Sequence, residues 1–173
     1  MQQKTWEQCV EFHGHICPGL TIGYKAAQYA IELLKLTFSD DEQVVCITEN
    51  DACGVDAIQV MLGCSVGKGN LLFHMTGKQA FSFYNRTTGE SVRLVLRPVS
   101  LDREEMLHYL QNAELKDIFE VKETNIKLPE KAKIFRSVTC SRCGESTAER
   151  YIHLENGEPL CPDCWDNYNR LDV

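Results

Sequence analysis

Apolar residues recur at three- and four-residue intervals between Gly19 and Leu36, through Leu20, Gly23, Tyr24, Ala27, Ala30, Ile31 and Leu34. That period predicts a long helix. Gly23, Ala26, Ala27 and Ala30 give it a small-residue face that another element could approach closely. Upstream, Thr5 with Gln8 three residues on reads as a capping box. It opens a first helix that should end near Gly14. Val44 to Thr48 is β-branched and apolar apart from Cys46, which predicts a buried strand. Ala57, Ile58, Met61 and Leu62 then mark the apolar side of a helix from about Val55 to Leu62. Leu71–Met75, Ala80–Asn85 and Ser91–Leu96 read as strands. The turns Thr76-Gly77-Lys78 and Arg86-Thr87-Thr88-Gly89 suggest antiparallel hairpins between them. Asp102 to Glu105 supplies an acidic first turn for a helix through about Asn112, and a short helical stretch over Leu115–Phe119 is expected after it. Helices followed by sequential strands predict an α+β domain with an antiparallel sheet and packed helices.

Lys122 to Lys133 is rich in Lys and Glu around Pro129 and reads as extended chain. The domain boundary is expected there, giving a core over residues 1–127, a linker over 128–136 and a small C-terminal domain over 137–173. In that last segment, Cys140-x-x-Cys143 and Cys161-x-x-Cys164 are separated by seventeen residues. Four thiolates at this spacing suit tetrahedral zinc in a closed structural site; the alternative is two redox pairs. Residues 151–154 and 158–160 flank Asn156-Gly157, a hairpin turn, and Trp165, Tyr168 and Leu171 follow at helical spacing. Knuckle, hairpin, second knuckle and helix is the order of a treble-clef finger. So short a segment cannot hold a core alone, so zinc would supply much of its folding free energy.

Composition narrows the function classes. The 173 residues carry a net charge of −7, and from Cys140 onward acidic residues outnumber Arg142, Arg150 and Arg170. Neither fact fits electrostatic binding to nucleic acid or an anionic membrane. No apolar run is long enough to cross a bilayer, and Met1–Glu11 lacks the apolar stretch of a signal peptide, so a cytoplasmic location is expected. Nine cysteines, an odd number, in such a chain point to metal or thiol chemistry rather than disulfides.

The candidate chemistry centres on His13-Gly14-His15-Ile16-Cys17-Pro18. In extended chain, alternate side chains share one side, so His13, His15 and Cys17 could converge on one ion or one substrate. Pro18 keeps Cys17 out of the helical region and suits the first position of the next helix. Cys17 then sits at a helix N-terminus, which favours anions, and thiolate is the form that ligates metals. The plainer alternative is a helix cap with a buried histidine and a packed thiol. Cys53 repeats the placement, after a loop and before a helix, so two helix N-termini could be aimed at one pocket. Gly63 to Asn70 is rich in glycine, but only three residues separate Gly63 from Gly67 and Gly69 follows Lys68, so it is not a phosphate loop. Lys68 is either a substrate-binding cation or a solvated loop lysine. His74 reads as a packed strand residue.

Phe12-His-Gly-His-Ile-Cys-Pro-Gly-Leu20, Asp51-Ala-Cys53 with Asp56-Ala-Ile-Gln59, Gly63-Cys-Ser-Val-Gly-Lys-Gly-Asn-Leu71 and Gly77-Lys-Gln-Ala-Phe81 together resemble the family of the formylmethanofuran dehydrogenase E subunit, from about residue 5 to 100. The four-cysteine tail resembles the treble-clef finger that some members carry. The resemblance implies an α+β core that forms homodimers, an appended finger, anaerobic metabolism, and a site containing His13, His15, Cys17, Cys53, Lys68 and Lys78. Three functions compete. One is a protein whose His13, His15, Cys17 and Cys53 hold a second, divalent catalytic metal. Another is a metal-free thiol enzyme using Cys17 or Cys53 with a histidine base. The third is a non-catalytic subunit or adaptor of an anaerobic one-carbon oxidoreductase complex. Whether the chain is an enzyme is left open by its residues.

Overall fold

The computed structural model describes residues 4–167. They form two compact units, residues 1–132 and 133–173. In the first, α1 (Trp6–His13) begins at a capping box in which Thr5 accepts from the Gln8 amide and Gln8 accepts from the Thr5 amide. It stops at Gly14, whose φ of 89° is left-handed backbone that glycine adopts without strain. Then come α2 (Pro18–Leu34), β1 (Val44–Thr48), α3 (Gly54–Leu62), β2 (Leu71–Phe73), β3 (Ala80–Asn85), β4 (Ser91–Leu96), α4 (Arg103–Asn112), α5 (Leu115–Ile118) and β5 (Phe119–Lys122). The architecture is α+β with a mostly antiparallel sheet.

Sheet order is β2-β1-β3-β4-β5. β1–β3, β3–β4 and β4–β5 are antiparallel, and β1–β2 is parallel. The hairpin expected between β2 and β3 therefore does not form. α3 carries the chain back so that β2 enters beside β1, with Cys46 opposite Leu71. The cause is visible in β1. All five of its residues are buried, so it must be central, with a strand on each edge and cover on each face.

The helices cover one face. Leu20, Ala27, Ala30, Ile58 and Leu62 pack there with Cys46, Phe81, Phe83, Val92 and Leu94. Gly23 meets Gly54 so closely that a Cβ built on Gly23 would lie 1.9 Å from the Gly54 carbonyl oxygen. On the other face, Val45, Ile47 and Tyr84 pack with Leu72, Ile126 and Leu128. Residues 126–132, in the stretch expected to be linker, are tied down within this unit. Tyr84 Oη donates to the Ile126 carbonyl at 2.7 Å, Arg86 donates to the Pro129 carbonyl at 2.8 Å, and the Ala132 amide donates to Glu42 at 3.0 Å. Beside them, Arg93 Nε donates to Glu49 Oε1 at 2.6 Å, with both side chains nearly buried, and Thr76 Oγ1 donates to Glu49 Oε2 at 2.9 Å.

In the second unit, β6 (Ser137–Thr139) pairs with β7 (Ser146–Ala148), and β8 (His153–Glu155) pairs with β9 (Glu158–Leu160). Asn156 and Gly157 make the turn between β8 and β9 at φ 52° and 86°, the paired positive values of a two-residue hairpin. The helix expected through Tyr168 and Leu171 lies outside the described residues.

Alanine favours a helix over glycine by about 1 kcal/mol, but at Gly23 the clash with backbone should outweigh it. Gly23→Ala should lower stability by about 3 kcal/mol in urea denaturation. Gly67→Ala, with nothing within 4 Å of its Cβ, should stay within about 0.5 kcal/mol. Arg93→Met strands a buried carboxylate and should cost about 3–5 kcal/mol. Arg93 holds the Glu49 carboxyl below its ordinary value, with Thr76 adding to the effect. A depressed carboxylate stabilises the fold above the unfolded value of about 4.3 and loses that contribution as pH falls through the folded value. Stability of Glu49→Gln should therefore fall less steeply than wild type on acidification below about pH 4.5.

Candidate functional site

The contact of Gly23 with Gly54 brings the beginnings of α2 and α3 together. Cys17 is the N-cap of α2, with extended backbone, and its Sγ accepts from the Leu20 amide at 3.3 Å. Cys53 is the N-cap of α3. Gly19 lies between the two thiols: a Cβ there would stand 3.1 Å from Cys53 Cβ, 3.6 Å from Cys53 Sγ and 3.9 Å from Cys17 Sγ. Burial, and next the Cys17 thiol beside it, pushes the Cys53 thiol up from its ordinary value.

α1 supplies the rest. It places His13 in its last turn, and the Gly14 reversal returns the chain so that His15 and Cys17 face back toward it. One donor atom from each of His13, His15 and Cys17 lies within 4.8 Å of the others. The His13 and His15 rings are 4.4 Å apart. His13 Nε2 lies 3.7 Å from Cys17 Sγ, and His13 Nδ1 lies 2.7 Å from Asp56 Oδ2. With Asp56 ionised, Nδ1 carries the proton and donates it to the carboxylate, which leaves the Nε2 lone pair directed at the cluster. Gln59 Nε2 donates to the other Asp56 oxygen at 3.3 Å.

Asp56 is the residue that pattern reading did not assign. In the first turn of a helix an acidic residue reads as dipole compensation, and nothing in the spacing ties it to a histidine 43 positions earlier. His13, Cys53, Asp51, Asp56 and Gln59 line a cleft of about 390 Å³ whose apolar wall includes Val66 and Phe73. Cys53 lies next to Cys17 but outside the three-donor group. Lys68 does not line this cleft. Its ammonium donates to the Ser39 carbonyl at 2.8 Å, and it borders a neighbouring groove. Lys78 is exposed and stands outside the cleft as well; its carbonyl accepts from Asn50 Nδ2 at 2.9 Å. Cys9, Cys46 and Cys64 are fully buried in the core. Burial pushes Cys9 to about 11 and Cys64 to about 12, and Cys46 also moves up, which fits inert packing thiols.

The second cluster is in the C-terminal unit. Cys140, Cys143, Cys161 and Cys164 each offer a sulfur within 4.8 Å of the others, a set that could hold a metal ion. The Cys161 amide donates to Cys140 Sγ at 3.4 Å. Amides of Cys143 and Cys161 bring the Cys140 thiol down to about 6. Cys164 is pushed up to about 12, first by the Cys161 sulfur. Like charges at this spacing cannot all ionise unless a cation compensates them. The His153 and Trp165 rings stack at 3.8 Å and 4° beside this set. Arg142 donates to the Cys164 carbonyl and to Glu155.

Comparison with known proteins places this arrangement. A curated protein of Archaeoglobus fulgidus, described as a probable S-adenosyl-L-methionine-binding protein, is 24% identical over 91% of the chain. The chain spans about half, 51%, of that relative's length. A crystal structure from Syntrophus aciditrophicus, of a protein like the E subunit of tungsten formylmethanofuran dehydrogenase, superposes with a TM-score of 0.66 at 25% identity, covering 94% of this chain and 96% of that one. The family model described as "FmdE, Molybdenum formylmethanofuran dehydrogenase operon" matches residues 12–143, from Phe12 at the head of the His/Cys motif to the first cysteine pair, and the chain belongs to that family.

Proposed function

We propose that the protein is a metal-dependent catalyst or metal-site protein, with a divalent ion held in the core by His13, His15 and Cys17 and a structural zinc held by Cys140, Cys143, Cys161 and Cys164. The observation that carries the core reading is the convergence of three donors within 4.8 Å, one of them oriented by Asp56. Two imidazoles and a thiolate would suit a zinc-like ion, and three protein donors would leave a position for a further ligand. Such an ion would supply Lewis acidity toward a water or a carbonyl. His13 keeps its tautomer through Asp56, which Gln59 holds in turn. The Leu20 amide donates to Cys17 Sγ and holds it in place. Cys53 is assigned as a further thiol donor at the mouth of the same site. The four-sulfur set in the second unit is closed, as structural zinc sites are. A role within an anaerobic oxidoreductase complex is part of this reading, supported by the family's tie to a formylmethanofuran dehydrogenase operon, and homodimer formation is proposed from the family resemblance alone. The relative's description adds S-adenosyl-L-methionine to the ligands worth titrating.

One observation favours a second reading. Cys17, His13 and Asp56 also form a thiol–imidazole–carboxylate series at 3.7 and 2.7 Å, the order used to activate a nucleophile. Without a core metal, Cys17 would be the nucleophile and His13 its base.

Elemental analysis of full-length protein purified without oxygen separates the two. About two metals per chain are expected, with one lost in Cys17→Ala and the other lost in the Cys140→Ser/Cys143→Ser double variant. One metal per chain, kept in Cys17→Ala, would overturn the core-metal reading. The thiol reading then requires Cys17 to be the fastest site of iodoacetamide labelling, slowed about 100-fold by His13→Ala.

Asp56→Asn should weaken core-metal affinity by about 10–100-fold while the second metal stays bound, as read by competition with a chelating dye. A strong zinc chelator should release the metal of the four-cysteine set and unstack Trp165 from His153, read by tryptophan fluorescence, while Trp6 in the core keeps its signal.

A further inference from the structure

A groove of about 360 Å³ adjoins the acid-lined cleft, with Gln59 lining both. Its charge is opposite. Lys4 and Lys68 border it, and their ammonium groups lie 5.5 and 5.6 Å from the centroid of one ring, Phe38. Among the described residues, no Asp or Glu lines it. Among the same residues, neither lysine makes an ion pair with a carboxylate. In a chain of net charge −7, two such cations on one groove are a local reversal of sign. Lys68 is held in place by the Ser39 carbonyl, and two of its N–H donors remain for a ligand. The apolar part of the lining is Phe12, which is 59% exposed, with Phe38 and Val60, while Gln59 and Ser65 add polar side chains. The volume is at the lower end of the range for small-molecule sites.

Each ammonium lies near the Phe38 ring, and with no carboxylate among the described lining residues the groove carries two positive charges without a compensating group. An anion bound in the groove would compensate this charge, and a flat apolar body attached to it would cover the exposed Phe12 ring. We propose that this groove binds an organic anion: a carboxylate, sulfonate or phosphate monoester carried on a flat apolar body. The charged end lies at Lys4 and Lys68, and the body lies along Phe12, Phe38 and Val60. The neighbouring cleft carries Asp51 and Asp56 and is lined by no described lysine or arginine, so it would repel the same charged end. The ligand is thereby oriented, with its anionic end in the groove and its uncharged end toward Gln59. The proposal stands apart from the metal reading, because none of its residues is a proposed ligand.

The test is fluorescence titration of the full-length protein with 1-anilinonaphthalene-8-sulfonate, a sulfonate on a flat apolar body, beside its uncharged counterpart N-phenyl-1-naphthylamine. The Lys4→Gln/Lys68→Gln variant is compared with Lys122→Gln/Lys127→Gln, which removes the same charge from exposed positions. The groove variant should raise Kd for the sulfonate at least tenfold with an unchanged far-ultraviolet spectrum, and the control should stay within twofold. The uncharged probe should bind wild type at least tenfold more weakly than the sulfonate. Equal weakening in both variants, no weakening in either, no sulfonate binding by wild type, or equal binding of the two probes would each overturn the proposal. Metal content measured on the same samples separates this outcome from the fate of the core-metal reading, since both lysine variants should keep the wild-type value.

Discussion

The approach of α2 to α3 through two glycines is the constraint on which the rest of the core depends. Gly23 and Gly54 touch backbone to backbone, with no room for a methyl group at Gly23. Glycine is costly inside a helix, and here that cost is offset by the geometry it permits. Because the axes come so close, the first turns of the two helices open on the same point. Cys17 and Cys53, each the cap of its helix, become neighbours although 36 positions separate them. Side chains of ordinary size at this contact would part the helices and separate the thiols.

α1 completes the site by a different device. Its capping box sets where it begins, and Gly14 sets where it ends, so His13 is presented at a defined point. The chain reverses at once and delivers His15 and Cys17 to the same place. Asp56 then reaches His13 from α3 and assigns the proton between its ring nitrogens. The three helices are thus joined at one hydrogen-bonded point: α1 through His13, α2 through Cys17, and α3 through Asp56. A carboxylate–imidazole–sulfur series serves metal binding and thiol activation equally well. The difference lies in whether a cation sits among the donors, which makes metal content the decisive quantity for function.

The two clusters are built on opposite principles. In the C-terminal unit four sulfurs face one another from two short turns, and among the described residues Leu160 and Trp165 pack against Cys140, Cys161 and Cys164. The core cluster rests on a large apolar interior, and of its three donors His13 lines the cleft. Beside it, the acid-lined cleft and the lysine-lined groove divide one surface into regions of opposite charge.

Local chemistry was legible along the chain. The capping box at Thr5, the strand at Val44–Thr48, the acidic start of α4 and the Asn156-Gly157 turn depend on neighbours within a few residues, and each formed where the pattern placed it. The spacing of the four C-terminal cysteines is likewise local and that set converges; His13, His15 and Cys17 also converge, but through the end of α1 and the Gly14 reversal rather than through the extended chain that their i, i+2, i+4 spacing suggested. Features made by partners distant in sequence were not legible. β2 pairs with β1 rather than β3 because β1, buried on all five residues, needs a strand on each edge. The stretch around Pro129 reads as solvated linker from its charge, yet Tyr84, Arg86 and Glu42 hold it by its backbone, which every sequence possesses. Lys68 stands away from the His13 cleft because the fold turns its ammonium to the Ser39 carbonyl, beside the neighbouring groove. Asp56 acquired its partner only when α3 packed beside α1. Residue type and short spacing decide which groups can bind or react; the packing of remote segments decides which of them meet.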